Sequence, residues 1–250
     1  IFKKSFDGYP IKIKILSRLT KPTEIDQIKD DLSIGDVNIL IGTHSVINKN
    51  LKFNDLSLVI VDEEQSFGVD QKEQLKSIFP NIHVLTLSAT PIPRTLQMAF
   101  SGIRDLSLIN TPPKNRMPIE TNVIEFDQGT IRSAIIREIK RDGQVFFVVP
   151  RIKDIRAIEE FLNNFLPQVN YLVATGKTKN KELEKTISAF YYGELDLLVS
   201  TNIVGSGLDV QRANTIIIYR AELFGLSQLY QIRGRVGRSN KRAFAYLITA

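Results

Sequence analysis

The sequence predicts two successive α/β units, each built on a mainly parallel sheet. Three observations lead there. Short apolar runs recur along the 250 residues, and several are continuous enough for strands buried on both faces, the pattern of parallel sheets covered by helices. These runs alternate with longer amphipathic stretches of helical length, as repeated β/α units do. The alternation stops at the proline-rich stretch 112–118 and then restarts.

Phe2–Phe6 reads as the end of a basic helix, closed by the turn Asp7-Gly8-Tyr9-Pro10. Ile11–Leu16 alternates apolar and basic residues as a strand with one solvated face. Thr23–Leu32 is a helix, with Thr23 as expected N-cap and Gly35-Asp36 at its end. Val37–Ile41, Leu58–Val61 and His83–Leu87 are apolar strands expected to be buried on both faces. Helices are expected at Gln71–Ile78 and Arg94–Ser101. Domain one is placed at residues 1–111, the linker at 112–118 and domain two at 119–250. In domain two, strands are expected at Thr121–Glu125, Val145–Val149, Asn170–Ala174, Leu195–Val199, Thr215–Tyr219 and Phe244–Ile248. The intervening helices are Thr130–Arg141, Ile155–Phe165, Lys179–Tyr192 and Leu226–Arg233.

Composition narrows the class. Hydrophobic residues make up 43% and charged residues 24%, the balance of a globular domain. No apolar run reaches membrane-spanning length, so no membrane partner is expected. There is no cysteine and there are two histidines, which excludes disulfides and makes a histidine-built zinc site a poor expectation. The formal charge of +6 leans towards polyanions such as nucleic acid.

In open α/β sheets, ligands bind at the C-terminal ends of the strands, and here those ends carry the chemistry. Leu58–Val61 ends at Asp62-Glu63-Glu64-Gln65. Adjacent acids after an apolar strand suit Mg²⁺, which takes one or two carboxylates together with waters and phosphates. Asp62 is placed to hold the metal–water shell and Glu63 to orient or deprotonate a water; a solvated acidic turn would read the same way. His83–Leu87 ends at Ser88-Ala89-Thr90, where hydroxyls could hydrogen-bond the acidic motif or Thr90 could cap a helix beginning at Pro91.

Gln231–Arg238 holds three arginines and two glycines. Arginine offers a permanently charged planar fork for phosphate, and glycine permits close backbone approach. If a nucleotide lies between the two domains, Arg235 and Arg238 face its phosphates from the wall opposite Asp62 and Glu63. Gly42-Thr43-His44, Pro150-Arg151, Thr175-Gly176-Lys177 and Ser200-Thr201 also follow strands. Singly each is an ordinary loop, and together they suit contacts to phosphate backbone without sequence readout. Gly205–Asp209 is a glycine-rich turn, in which Asp209 could bond a ribose hydroxyl or an arginine.

These segments occur in the order of motifs Ib, II, III, V and VI of superfamily 2 helicases: GTH at 42–44, DEEQ at 62–65, SATPIPRTL at 88–96, VSTNIVGSGLDV at 199–210 and QLYQIRGRVGRS at 228–239. With residues 98–113 and 223–230, the chain resembles the translocase module of bacterial transcription-repair coupling factors, and next to them the RecG-type branch-migration helicases.

The resemblance implies two RecA-like domains, the first truncated at its N-terminus, and a double-stranded DNA translocase driven by ATP and Mg²⁺. It also implies RNA polymerase and excision-repair proteins as partners engaged through other domains, and a cytoplasmic, nucleoid-associated location. By motif, Asp62 and Glu63 become the Mg²⁺ and water residues, and Arg235 and Arg238 the arginine fingers. Gln65, Ser88, Thr90, Gly207, Asp209, Gln231 and Gly234 become ATP-binding or coupling residues. Thr43, His44, Arg151, Thr175, Lys177 and Thr201 become DNA-backbone contacts.

The sequence also departs from the family. No GxxxxGK[ST] phosphate loop occurs in the 250 residues, and Ser66, Thr175 and Gly205 stand where the family usually has other residues. The expectation is that these residues alone hydrolyse ATP poorly or not at all. A non-catalytic DNA-binding remnant is the alternative from another class.

Overall fold

A computed structural model describes residues 2–17, 20–43, 46–47, 51–63, 82–88, 105, 107–109, 111, 117–201 and 210–249. The chain forms two compact units, Ile1–Leu106 and Ser107–Ala250. The expected helices at 71–78 and 94–101, and linker residues 112–116, lie outside the described residues.

In the first unit, α1 (Phe2–Ser5) precedes β1 (Ile13–Leu16), α2 (Pro22–Ser33) and β2 (Ile39–Gly42). β3 (Leu58–Asp62) and β4 (His83–Leu87) follow. β1 pairs with β2 and β3 with β4, both in parallel. Leu16, Ile28, Leu32 and Leu51 form a small core that ties α2 to the β1–β2 pair. The lysines of the alternating β1 segment face acids: Lys12 pairs with Asp36, and Lys14 lies 3.5 Å from Asp31.

Two expectations change here. Helix α2 begins at Pro22, with Lys21 at the N-cap position and no side-chain cap, so Thr23 is not the cap. Proline at the first helical position needs no N–H partner and has its φ already set for the helix, which starts it one residue before Thr23. The first-unit strands are also not buried on both faces. Leu58 and Ile60 of β3 are 50% and 55% exposed, and Leu85 and Leu87 of β4 are exposed as well. Apolar composition signals burial only where neighbours cover both faces, and among the described residues β3 pairs with β4 alone.

The second unit holds β5 (Ile119–Glu125), α3 (Gln128–Lys140), β6 (Gln144–Val148), α4 (Ile155–Phe165) and β7 (Tyr171–Ala174). These are followed by α5 (Asn180–Tyr192), β8 (Leu197–Ser200), β9 (Ala213–Ile218), α6 (Leu226–Arg233) and β10 (Ala243–Thr249). Its six-stranded sheet has the order β5-β10-β9-β6-β8-β7, and every pairing is parallel. Successive side chains leave a strand on opposite faces. Phe147, Val199 and Ile217 accordingly enter one core with Ile135 and Leu162, while Phe146, Leu198 and Ile216 enter the other with Phe190 and Ile232.

Local chemistry sets the helix ends. The Asp127 side chain accepts from the Thr130 N–H at 2.6 Å and starts α3. Hydrogen bonds from the Thr130 hydroxyl first and its N–H second, made to the charged form, hold the Asp127 carboxyl below the usual carboxylate range. Gly193 ends α5 in the left-handed region at φ 80°, against the Arg212 guanidinium.

Candidate nucleotide and nucleic-acid site

The first unit contributes the ends of β2, β3 and β4. Asp62 is the last residue of β3 and is exposed. Glu63 follows at φ 53°, a left-handed turn that a non-glycine residue adopts at some cost. The register pairs Asp62 with Leu87, so Ser88 leaves β4 beside the point where Glu63 leaves β3. The structure therefore brings Asp62, Glu63 and Ser88 to one sheet edge. Thr43 follows β2 and is exposed. Gly42 before it is required by packing, because a Cβ there would collide with the Leu16 carbonyl and the Val46 side chain. His44, Gln65 and Thr90 lie outside the described residues.

The second unit gathers the ends of β6, β7 and β8 around the first turns of α6. A groove of about 490 Å³ is lined by Lys177, Thr201, Gln228 and Gln231, with Ile152, Leu223 and Phe224 among its apolar residues. It thus joins two expected DNA contacts, Lys177 and Thr201, to Gln231, expected as a nucleotide residue. Arg151 and Thr175 are not among the lining residues. Thr175 is engaged in its own turn. Its N–H donates to the Thr178 hydroxyl at 3.0 Å, and its hydroxyl accepts from the Lys177 N–H at 3.2 Å. Gly207 and Asp209 lie outside the described residues.

Beyond the groove, Gly234 caps α6 by donating to the Tyr230 carbonyl at 2.9 Å. Val236 is fully buried, and Gly237 turns the chain at φ 73°. A Cβ on Gly237 would lie 3.1 Å from Ile119 and 3.2 Å from Ala243. This glycine serves close packing on β5 and β10, where the sequence suggested room for phosphate. The buried Val236 and Gly237 anchor the loop between Arg235, which is partly buried, and Arg238, which is exposed.

Gln228 and the apolar wall of Ile152, Leu223 and Phe224 were not anticipated. Gln228 stands three residues after Gly225, the spacing of a helix-start cap, and this signal was available in the sequence.

Among the described residues no group of three or more His, Cys, Asp or Glu side chains gathers for a metal. Asp62 and Glu63 supply two adjacent carboxylate-bearing positions at a strand end. That number suits Mg²⁺ arriving with nucleotide phosphates and waters.

Residues 1–99 match the DEAD/DEAH box helicase family, and residues 130–240 match the helicase conserved C-terminal domain. The chain belongs to the helicases built from these two domains, superfamily 2, and its units have the RecA-like α/β fold with mainly parallel sheets. Within that class it is similar along its length to one stretch of the transcription-repair-coupling factors. It is 49% identical over 249 residues to that of Rickettsia conorii, covering 100% of this chain and 22% of the relative. It is 48% identical over 240 residues to that of Staphylococcus aureus, covering 96% and 20%. The chain therefore spans about a fifth of the length of these curated relatives. Among solved structures, RecG bound to a three-way DNA junction is similar with a TM-score of 0.75 and 34% identity, covering 99% of this chain and 33% of that one.

Proposed function

We propose that the chain is the motor core of an ATP-driven double-stranded DNA translocase of the transcription-repair-coupling type. The observation that carries this reading is the 49% identity to such a factor across 249 residues. In this reading the whole protein displaces stalled RNA polymerase and links to excision-repair proteins through regions beyond these residues, in the bacterial cytoplasm at the nucleoid.

Asp62 and Glu63 would hold Mg²⁺, and Glu63 would orient the attacking water. When bound, Mg²⁺ would neutralise charge on the nucleotide's phosphates. Arg235 and Arg238 stabilise charge on the transferred phosphoryl group, and Gln65, Ser88, Thr90, Gly207, Asp209, Gln231 and Gly234 bind the nucleotide or relay its state. Thr43, His44, Arg151, Lys177 and Thr201 grip the DNA backbone. Thr175 shapes the turn that presents Lys177.

The test compares the 250-residue chain with a version extended upstream through a phosphate loop. Duplex-stimulated ATPase is expected in the extended version and not in the shorter chain. Robust turnover by the shorter chain would overturn the requirement for that loop. The similarity to RecG favours a second reading, a branch-migration helicase. Preference of the extended version for junction DNA over plain duplex would establish it in place of the first.

A further inference from the structure

We infer that Gln228 is a contact residue for a backbone phosphodiester of nucleic acid, held in place by the start of its own helix. The inference rests on the reading of the groove in the second unit as a nucleic-acid site, and it gives a role to the first residue of the segment 228–239, which the motif resemblance left without one.

Asn and Gln side chains carry an acceptor oxygen and a donor nitrogen, and their neighbours decide which points where. The Gly225 N–H donates to Gln228 Oε1 at 3.1 Å across the first turn of α6. A donor can only face the oxygen, so Nε2 is turned away from that N–H. Gln228 is exposed and lines the groove with Lys177 and Thr201. Among the described residues no protein acceptor takes its amide hydrogens. The helix start thus presents a neutral donor whose orientation is already set, which reduces the ordering cost of binding.

The surroundings select the ligand. Among the described lining residues Lys177 is the cation, Thr201 offers a hydroxyl, and none is Asp or Glu. One cation with neutral donors suits a singly charged phosphodiester. Ile152, Leu223 and Phe224 form an apolar lip against which the hydrocarbon face of a sugar can rest. An ATP triphosphate shares the phosphate chemistry, so the experiment separates the two sources.

Gln228→Glu keeps a carbonyl-type oxygen for the Gly225 N–H and removes the donor. Three quantities are measured for wild type, Gln228→Glu and Lys177→Ala: the melting temperature, anisotropy of a fluorescein-labelled duplex across a salt series, and binding of a fluorescent ATP analogue. Gln228→Glu is expected to melt like wild type, to weaken duplex binding about tenfold, and to leave analogue binding unchanged. Lys177→Ala is expected to lower the slope of affinity against salt by roughly one, because a lost cation releases fewer counterions. If Lys177→Ala weakens duplex binding and Gln228→Glu does not, the inference is overturned while the nucleic-acid reading stands. If Gln228→Glu weakens analogue binding instead, the phosphate belongs to the nucleotide and the inference is also overturned. If wild type does not bind duplex, the underlying reading fails and takes this inference with it.

Discussion

Two equally continuous apolar runs fare differently in the two units. β3 contains Leu58-Val59-Ile60-Val61, and β6 contains Val145-Phe146-Phe147-Val148. Every residue of β6 is buried, whereas Leu58 and Ile60 of β3 are half exposed. The difference lies in the neighbours. β6 runs between β9 and β8 with a packed core on each face, and β3 pairs only with β4 among the described residues. Burial is a property of the assembled sheet, so the same kind of run is core in one place and surface in another.

The largest expected effect contrasts the chemistry of the two units. In a version extended through a phosphate loop, Glu63→Gln in the first unit should abolish ATP hydrolysis and spare ATP binding. Arg235→Ala in the second should reduce hydrolysis by roughly 10³-fold or more with folding intact. Steady-state ATPase with analogue binding reads both, and wild-type turnover in either variant removes the role assigned to that residue.

Phe146 is fully buried and packs on Phe190 at 4.9 Å between ring centroids. Phe146→Ala should cost about 3–5 kcal/mol in the second unit. Ile60→Ala, at a half-exposed position, should cost about 0.5 kcal/mol in the first. Chemical denaturation followed by hydrogen exchange in each unit measures both. Equal costs would mean that β3 is buried in solution and would erase the contrast.

A smaller effect is expected at Gly237. Gly237→Ala puts a side chain at positive φ and against Ile119 and Ala243, and should cost about 1–2 kcal/mol, visible in the melting temperature. A neutral outcome would return this glycine to the ligand role that the sequence suggested.

The smallest effect is the pH response of the α3 cap. The folded Asp127 carboxyl titrates below the ordinary aspartate value because Thr130 bonds its charged form. Its contribution is present above the unfolded pKa and is lost as the pH falls through the folded value. Asp127→Asn keeps a capping oxygen without the titration, so the acid limb of second-unit stability should flatten slightly. An unchanged acid limb would show that the cap adds nothing through its charge.

Much of the fold was legible because β/α alternation and helix-start chemistry are local. α6 spans Leu226–Arg233 and β4 spans His83–Leu87, as the apolar pattern predicts. Most other strands differ by one or two residues at their ends, where ladder bonds rather than side-chain pattern set the limit. The cap of α2 was misplaced because Thr23 and Pro22 compete for the helix start, and the ring geometry of proline prevails. The pairing of β3 with β4, which sets Ser88 beside Glu63, follows from their succession along the chain, since consecutive strands tend to lie side by side. The mixed groove does not, since Lys177, Thr201 and Gln231 reach it from three separate elements.

By itself, the sequence determined which residue types follow each element: acids after β3, hydroxyls after β4 and β8, and arginines after α6. Those are covalent facts, and the chemistry of carboxylates, hydroxyls and guanidinium groups follows from them. Only the tertiary structure decided which apolar strands are core, because burial depends on what lies on both faces. It also decided that Gly237 serves packing, because the sheet brings Ile119 and Ala243 against it. The direction of the Gln228 amide was decided there too, because one backbone N–H at the start of α6 orients it.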